Sequence, residues 1–141
     1  MRILLIISAL IFMSQNMYAQ SISDFQWENR LILAFTDSVE SQIFQKQLKI
    51  FKDKREAFED RKLVFIQVVP NKHRIIFPQT SAWQSSKVFE NNKKEEGAFE
   101  IILIGLDGDV KLRQTEILET EKLFGLIDSM PMRQAEMRRN N

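Results

Sequence analysis

The stretch that constrains the fold most is residues 99–113. Residues 99–105 form an almost unbroken apolar run, which is typical of a strand buried on both faces. Asp107-Gly108 follows, and an Asp-Gly pair between two strand-like runs favours a hairpin because glycine tolerates positive φ. Residues 110–113 then alternate apolar and cationic side chains, as an edge strand does. The pattern predicts a central strand that turns into an edge strand.

The N-terminus has the pattern of a secretory signal peptide. Arg2 supplies the positive charge, Ile3 to Met13 is apolar, and Ala19-Gln20 is the predicted cleavage site. An uncleaved membrane anchor is the alternative, but about 11 apolar residues fall short of the roughly 20 that a membrane helix needs. We therefore predict a signal peptide over residues 1–19 and a single domain over residues 20–141. The domain is expected to be periplasmic or secreted, with no stable membrane insertion after cleavage.

Cysteine and charge counts exclude two classes of function. The chain has no cysteine, so it cannot supply the thiolate that disulfide exchange and thiol-based peroxide reduction require. Removal of residues 1–19 takes away Arg2 and no acid, which leaves 19 basic and 19 acidic side chains. A neutral domain has no general field that attracts nucleic acid. We expect neither a thiol oxidoreductase nor a nucleic-acid partner, and we expect no cofactor.

The first half of the domain has the pattern of a strand–helix–strand unit. Leu31 to Phe35 and Leu63 to Val69 are apolar runs of strand length. Between them, residues 38–59 place phenylalanines at helical spacing, which predicts one amphipathic helix. Strands joined by a helix of this length are normally parallel and right-handed in their crossover.

The second half is less regular before residue 99. Residues 71–97 predict a long loop with a short helix near residues 82–89, and a last helix runs from about Glu119 to Pro131. The resulting order, β-α-β-(α)-β-β-α, is the core order of a thioredoxin-like α/β fold. We predict a four-stranded mixed sheet of order 2-1-3-4 flanked by helices. Strands 1 and 2 are expected to be parallel, and strands 3 and 4 to form an antiparallel hairpin.

Thr36-Asp37-Ser38 occupies the position where such folds carry their reactive group, between strand 1 and its helix. Free N–H groups at a helix N-terminus favour an anion there. The simpler explanation is that Asp37 or Ser38 caps the helix. An enzyme that uses Asp37 as a general base is a further hypothesis, and it requires a concave, partly desolvated setting for that carboxylate.

Several exposed-looking side chains are candidates for binding. Lys111 and Arg113 are expected on one face of the edge strand, and with Arg133 they would form a cationic patch for a carboxylate, a phosphate or an acidic protein surface. Positive charge that guards an edge strand against aggregation is the simpler alternative. Trp27 and Arg30 lie in the lead-in to strand 1. Phe25 and Trp27 are two residues apart, which favours docking of both rings onto the core, and an exposed recognition patch is the alternative.

Metal binding and serine catalysis are both poorly supported. His73 is the sole histidine, and Asp107 and Asp109 are expected in a tight turn for turn geometry alone. A Ca²⁺ or Zn²⁺ site needs more ligands than these, so we predict no metal. A Ser/His/Asp triad would have to use His73, and the sequence places no serine beside it.

Three strings carry a family resemblance: FQWENRLILAF, GAFEIILIGLDGDVKLR and LFGLIDSMPMRQAEMRR. They resemble an aromatic-x-W-x-N-R lead-in, an L-I-G-x-D-G-x-V-K-L-R hairpin and an I-D-x-M-P-M-R-x-x-E-M-R ending. These are the motifs of the thioredoxin-like family called domain of unknown function 4174. The resemblance covers most of the chain and departs at residues 71–97. It implies the fold but no activity, and the family's similarity to repeats in extracellular-matrix proteins suggests adhesion or binding.

These observations favour an exported, redox-inactive binding module whose partner is a protein or a small anionic ligand. The predicted binding residues are Trp27, Arg30, Asp37, Lys111, Arg113 and Arg133. A non-thiol enzyme at the Thr36-Asp37-Ser38 corner is the alternative. A structural role in an envelope assembly is the third hypothesis.

Overall fold

A computed structural model describes residues 21–141 of the chain. The strands are β1 (Arg30–Thr36), β2 (Leu63–Val69), β3 (Lys72–Phe77), β4 (Gln84–Ser85), β5 (Phe99–Ile104) and β6 (Val110–Gln114). The helices are a 3-10 turn (Ile22–Phe25), α1 (Gln42–Phe51), α2 (Arg55–Asp60), α3 (Val88–Asn92), α4 (Thr120–Asp128) and α5 (Pro131–Asn140). The predicted signal peptide and its cleavage site lie outside the described residues. Within residues 21–141, no helix combines the length and apolar character that crossing a bilayer requires.

The six strands form one mixed sheet of order β4-β3-β2-β1-β5-β6. Strand β1 runs parallel to β2 and antiparallel to β5, and every residue of these three strands is buried. Their near-continuous apolar sequences fit strands that are covered on both faces. We call the two ends of β1 the Arg30 end and the Thr36 end. The register pairs Leu31 with Ile104, so the β5–β6 turn lies at the Arg30 end.

Helices and loops cover the two faces of the sheet. On one face, α1, α2 and α4 contribute buried apolar side chains, among them Phe44, Phe58 and Leu123. On the other face, Phe25 is buried together with the alternate residues of β1, β2 and β5 that point to that face, and Phe89 of α3 packs against them. The period-2 alternation of the strands divides the core into these two layers.

The prediction of a four-stranded sheet is wrong, because residues 71–97 are not only a loop. They contain β3 and β4, which extend the sheet beyond β2. Strand β2 ends at Val69, and Pro70 and Asn71 form a two-residue turn that leads into β3. Asn71 has a φ of 67°, a conformation that asparagine tolerates better than most residues.

The single helix predicted over residues 38–59 is also wrong. The chain forms α1 and α2, separated by Lys52, Asp53 and Lys54. The break still leaves both phenylalanines inside, with the Phe51 and Phe58 ring centroids 5.0 Å apart. The helical spacing therefore predicted the buried face correctly and missed the interruption, because the turn residues are themselves compatible with a helix.

Candidate functional site

The Arg30 end of β1 holds a buried arginine. The Arg30 side chain is 1 % exposed, and its Nη1 donates to the Arg61 carbonyl at 2.9 Å and to Glu136 Oε2 at 3.3 Å. Its Nη2 lies 3.2 Å from Glu136 Oε1. A buried guanidinium is tolerated only with such partners, because an unpaired charge in the interior is costly. Arg30 therefore joins the start of β1 to helix α5.

A second arginine ties α5 to the ends of α2 and α4. Arg133 Nε donates to Asp128 at 3.1 Å, Nη1 to the Asp60 carbonyl at 2.8 Å and Nη2 to the Asp60 carboxylate at 2.6 Å. Arg61 donates to the same Asp128 through Nε and Nη2 at 3.1 and 2.7 Å. We call the six side chains Arg30, Asp60, Arg61, Asp128, Arg133 and Glu136 the ion-pair network.

The network shifts two pKa values. Partial burial of Asp128 acts to raise its pKa, but the hydrogen bonds and charges of Arg61 and Arg133 outweigh it and hold the pKa below the usual value. Burial of Arg133 acts to lower its pKa, and Asp60 and Asp128 outweigh that effect and raise it. Both groups therefore stay charged at neutral pH.

The β5–β6 turn lies beside the network and is held by hydrogen bonds from residues outside the turn. Trp27 N–H donates to the Leu106 carbonyl at 2.6 Å, and Gln26 Nε2 donates to the Asp107 carbonyl at 2.8 Å. Lys111 Nζ donates to Asp107 Oδ2 at 2.8 Å, and this bond, with a further one from the Asp109 N–H, lowers the pKa of Asp107. The turn is therefore bonded both to the lead-in before β1 and to the strand that follows it.

A cavity of about 290 Å³ lies between this turn and the α4–α5 junction. Its walls are mainly apolar, and its lining residues are Arg30, Gly105, Leu106, Asp107, Lys111, Met130, Pro131 and Met132. Gly105 leaves room for the Lys111 side chain, because a Cβ there would lie 2.6 Å from Lys111 Cε. The three strings that carry the family resemblance thus meet at one cavity.

Large exposed apolar side chains concentrate at this end. Within residues 21–141 they are Trp27, Val110 and Met132, with Trp27 62 % exposed. Trp27 bonds to a residue that lines the cavity, Met132 lines it, and Val110 begins β6 just after the turn. Trp27 also has a φ of 69°, which costs a non-glycine residue about 1–2 kcal/mol. Strained and exposed aromatic residues are typical of binding sites.

The structure brings Trp27, Arg30 and Lys111 together at the Arg30 end, but it does not form the predicted cationic patch. Arg113 pairs with the fully buried Glu100 and donates to the Asn92 carbonyl, while Lys111 pairs with Asp107. A register shift between Leu103 and Ile104 leaves Lys111 without a partner in β5. Lys111 therefore lies outside the regular alternation of side chains along β6 to which Arg113 belongs. The guanidinium of Arg133 is buried in the network.

The Thr36 end differs from its prediction. Helix α1 begins at Gln42, and Ser41, not Asp37 or Ser38, is its N-cap, with Ser41 Oγ accepting from Phe44 N–H at 3.3 Å. Thr36 is buried and donates to the Ser38 carbonyl at 3.0 Å. Asp37 is exposed. That setting is not the desolvated one that a general base at this corner would need.

Sequence reasoning missed two partners. Glu136 lies beyond Pro131, where the sequence predicts that the last helix ends, and only its position on α5 brings it to Arg30. The sequence placed no serine beside His73, yet Ser86 Oγ lies 2.7 Å from His73 Nδ1. Neither pair has a local spacing signal, because each depends on how distant segments pack. The motif Met130-Pro131-Met132 was visible, but its place in a cavity wall was not.

Comparisons with known proteins support the fold and the family. The structure is similar to the crystal structure of reduced 2-Cys peroxiredoxin from Plasmodium vivax, with a TM-score of 0.55 and 11 % sequence identity. The match covers 81 % of this chain and 84 % of the peroxiredoxin chain. At that identity the likeness shows a thioredoxin-like α/β fold and nothing of activity. A search of curated proteins found no match.

The sequence itself matches a family model. The match is to "Domain of unknown function (DUF4174)" and extends over residues 21–136. It spans every strand of the sheet and every residue that lines the cavity. The chain therefore belongs to the DUF4174 family, the thioredoxin-like family that its three strings predicted.

Proposed function

We propose that this domain is an exported, redox-inactive binding module that receives an apolar side chain of a protein partner in the cavity at the Arg30 end. The observation that carries the proposal is an apolar cavity next to an exposed, strained tryptophan. Exposed aromatic and methionine side chains around a pocket are typical of protein-recognition sites. Thiol chemistry is excluded because the chain has no cysteine.

Hydrogen bonds hold both walls of the cavity in place, which supports this proposal. The turn that forms one wall is hydrogen-bonded to Trp27 and Gln26. The opposite wall, Met130 to Met132, stands between Asp128 and Arg133, which bond to each other. A preformed site loses less conformational entropy when a partner binds.

Lys111 gives the cavity one polar feature. Its ammonium group stands at the rim and is paired with Asp107. A partner that presents a carboxylate next to its apolar side chain would compete with Asp107 for Lys111. We therefore propose that the partner carries an anionic group at this position. Asp37 and Arg113 do not line this cavity, and Arg113 is paired with Glu100. Substitution of either residue in the purification below tests its proposed part in binding.

The proposal is tested by purification of the full chain from its native cell envelope beside two variants. Met132→Glu places a charge on the cavity wall, whereas Gln134→Glu adds the same charge to an exposed position of the same helix. We expect a protein partner to co-purify with wild type and Gln134→Glu and to be lost from Met132→Glu. Retention by Met132→Glu would contradict the proposed site. The N-terminal residue of the purified protein, read by mass spectrometry, tests the proposed cleavage near Ala19.

A further inference from the structure

A second cavity, at the β3–β4 edge of the sheet, contains the His73–Ser86 pair. Its volume is about 330 Å³, and none of its lining residues lines the cavity at the Arg30 end. Ser86 Oγ lies 2.7 Å from His73 Nδ1, and both residues line the cavity. The binding proposal above does not use this pair.

The backbone holds the pair in place from both sides. His73 lies in β3 and pairs with Gln84 of β4, which sets the position of the segment that carries Ser86. Ser86 N–H donates to the Asn71 carbonyl at 3.0 Å, and Lys87 Nζ donates to Asn71 Oδ1 at 2.6 Å. The serine is therefore fixed against the imidazole by bonds that do not involve its hydroxyl.

The imidazole is in the protonation state that a base requires. Burial lowers the pKa of His73, so the ring is neutral at neutral pH. In the tautomer that carries its proton on Nε2, Nδ1 accepts the hydrogen bond from the Ser86 hydroxyl. A hydroxyl that donates to a neutral imidazole is the arrangement that activates a serine nucleophile.

We infer that His73 and Ser86 form a base–nucleophile pair that accepts the acyl group of a small ester. Ser86 Oγ attacks the carbonyl carbon, and its proton moves to His73 Nδ1. The bond from the carbonyl carbon to the leaving oxygen then breaks, and the released alcoholate takes that proton. Water repeats the sequence on the acyl-serine and releases the acid, so no oxidant or other co-reactant is needed.

The rest of the cavity suits such a substrate. Ile22 and Val88 contribute apolar wall, and Asn91 carries a side-chain amide of the kind that can donate to an oxyanion. A volume of about 330 Å³ lies at the lower end of ligand pockets, which points to a small acyl group.

The test is covalent labelling of the full chain with a fluorophosphonate probe, followed by mass mapping of the adduct. Ser85→Ala is the matched control, because Ser85 lines the same cavity and is the neighbour of Ser86. We expect one adduct, on Ser86, in wild type and Ser85→Ala, none in Ser86→Ala, and labelling roughly 100-fold slower in His73→Gln. Hydrolysis of 4-nitrophenyl acetate is expected to follow the same order.

The position of the adduct in the wild-type protein tests the inference even if a variant does not fold. A wild-type chain that stays unlabelled, or that is labelled elsewhere than Ser86, would overturn the inference and leave the bond to Ser86 as a means of satisfying a buried histidine. Because the two cavities share no lining residue, this result and the partner purification are independent of each other.

Discussion

The two ends of strand β1 differ in how their polar side chains are placed. At the Arg30 end, six charged side chains from β1, α4, α5 and the C-terminal end of α2 pair beside an apolar cavity. At the Thr36 end, where thioredoxin-like folds carry their reactive group, a buried threonine bonds to its own turn and the following aspartate is exposed. This protein therefore combines a thioredoxin-like fold with paired charged side chains at the end of β1 opposite the usual reactive corner.

The largest effect is expected when one partner of the buried Arg30–Glu136 pair is removed. Glu136→Gln leaves the Arg30 guanidinium without its counter-charge, and we expect a loss of about 3 kcal/mol in the free energy of unfolding. Urea denaturation measures it. Glu56→Gln, at an exposed position of α2, is the control and should change little. If the two substitutions lowered the free energy of unfolding equally, the buried pair of Arg30 and Glu136 would contribute no more to stability than an exposed charge.

A smaller loss is expected from Arg133→Lys. Lysine keeps the charge but cannot reach Asp128, the Asp60 carbonyl and the Asp60 carboxylate at once, and the lost charged hydrogen bonds should cost about 2 kcal/mol. The same substitution at Arg138, which is exposed on the same helix, is the control. Denaturant midpoints that do not differ between the two variants would mean that the fork geometry of Arg133 is unimportant.

The Thr36 end should respond less, and at one position. Ser41→Ala removes the cap of α1 and is expected to cost about 1 kcal/mol. Asp37→Ala, four residues earlier, should stay within about 0.5 kcal/mol because the side chain is exposed and does not cap the helix. Thermal unfolding of the two variants compares them directly. A larger effect at Asp37 than at Ser41 would restore that corner as a site of interest.

The smallest effect concerns pH. The folded protein holds the pKa of Asp128 below its unfolded value, so in the interval between the two values the unfolded chain binds more protons. The contribution of Asp128 to stability is therefore present above the ordinary pKa of aspartate and is lost as the pH falls through the lower, folded value. Its side chain is 33 % exposed, so solvent screens the effect. Unfolding curves of wild type and Asp128→Asn should converge as the pH falls through this interval, and a constant gap would contradict the assignment.

How far the sequence predicted the fold depends on the segment. The apolar runs at residues 31–35, 63–69 and 99–105 became three central strands, because long stretches without polar side chains must be covered on both faces. Strand β3 was missed, since its sequence KHRIIF mixes cationic and apolar residues and follows a proline. Its pairing with β2 supplies the hydrogen bonds that make it a strand, and no local pattern records that.

The site was predicted in part for the same reason. Trp27 and Lys111 stood out by residue type, and both lie at the cavity end of the molecule. Arg30 and Arg133 are also among the predicted binding residues, and the fold buries both. A charge in a sequence does not reveal whether its carboxylate partners will exclude water from it.

The absence of thiol chemistry and the positions of the central strands follow from the amino-acid sequence. A chain without cysteine has no thiolate under any fold, and a long apolar run is buried whatever its neighbours are. Which distant side chains meet depends instead on how the elements pack. Arg30 and Glu136 are 106 residues apart, and His73 finds Ser86 across a strand pair. The physical reason is that hydrophobic burial is non-directional, whereas an ion pair or a hydrogen bond needs one partner at one distance, which packing alone provides.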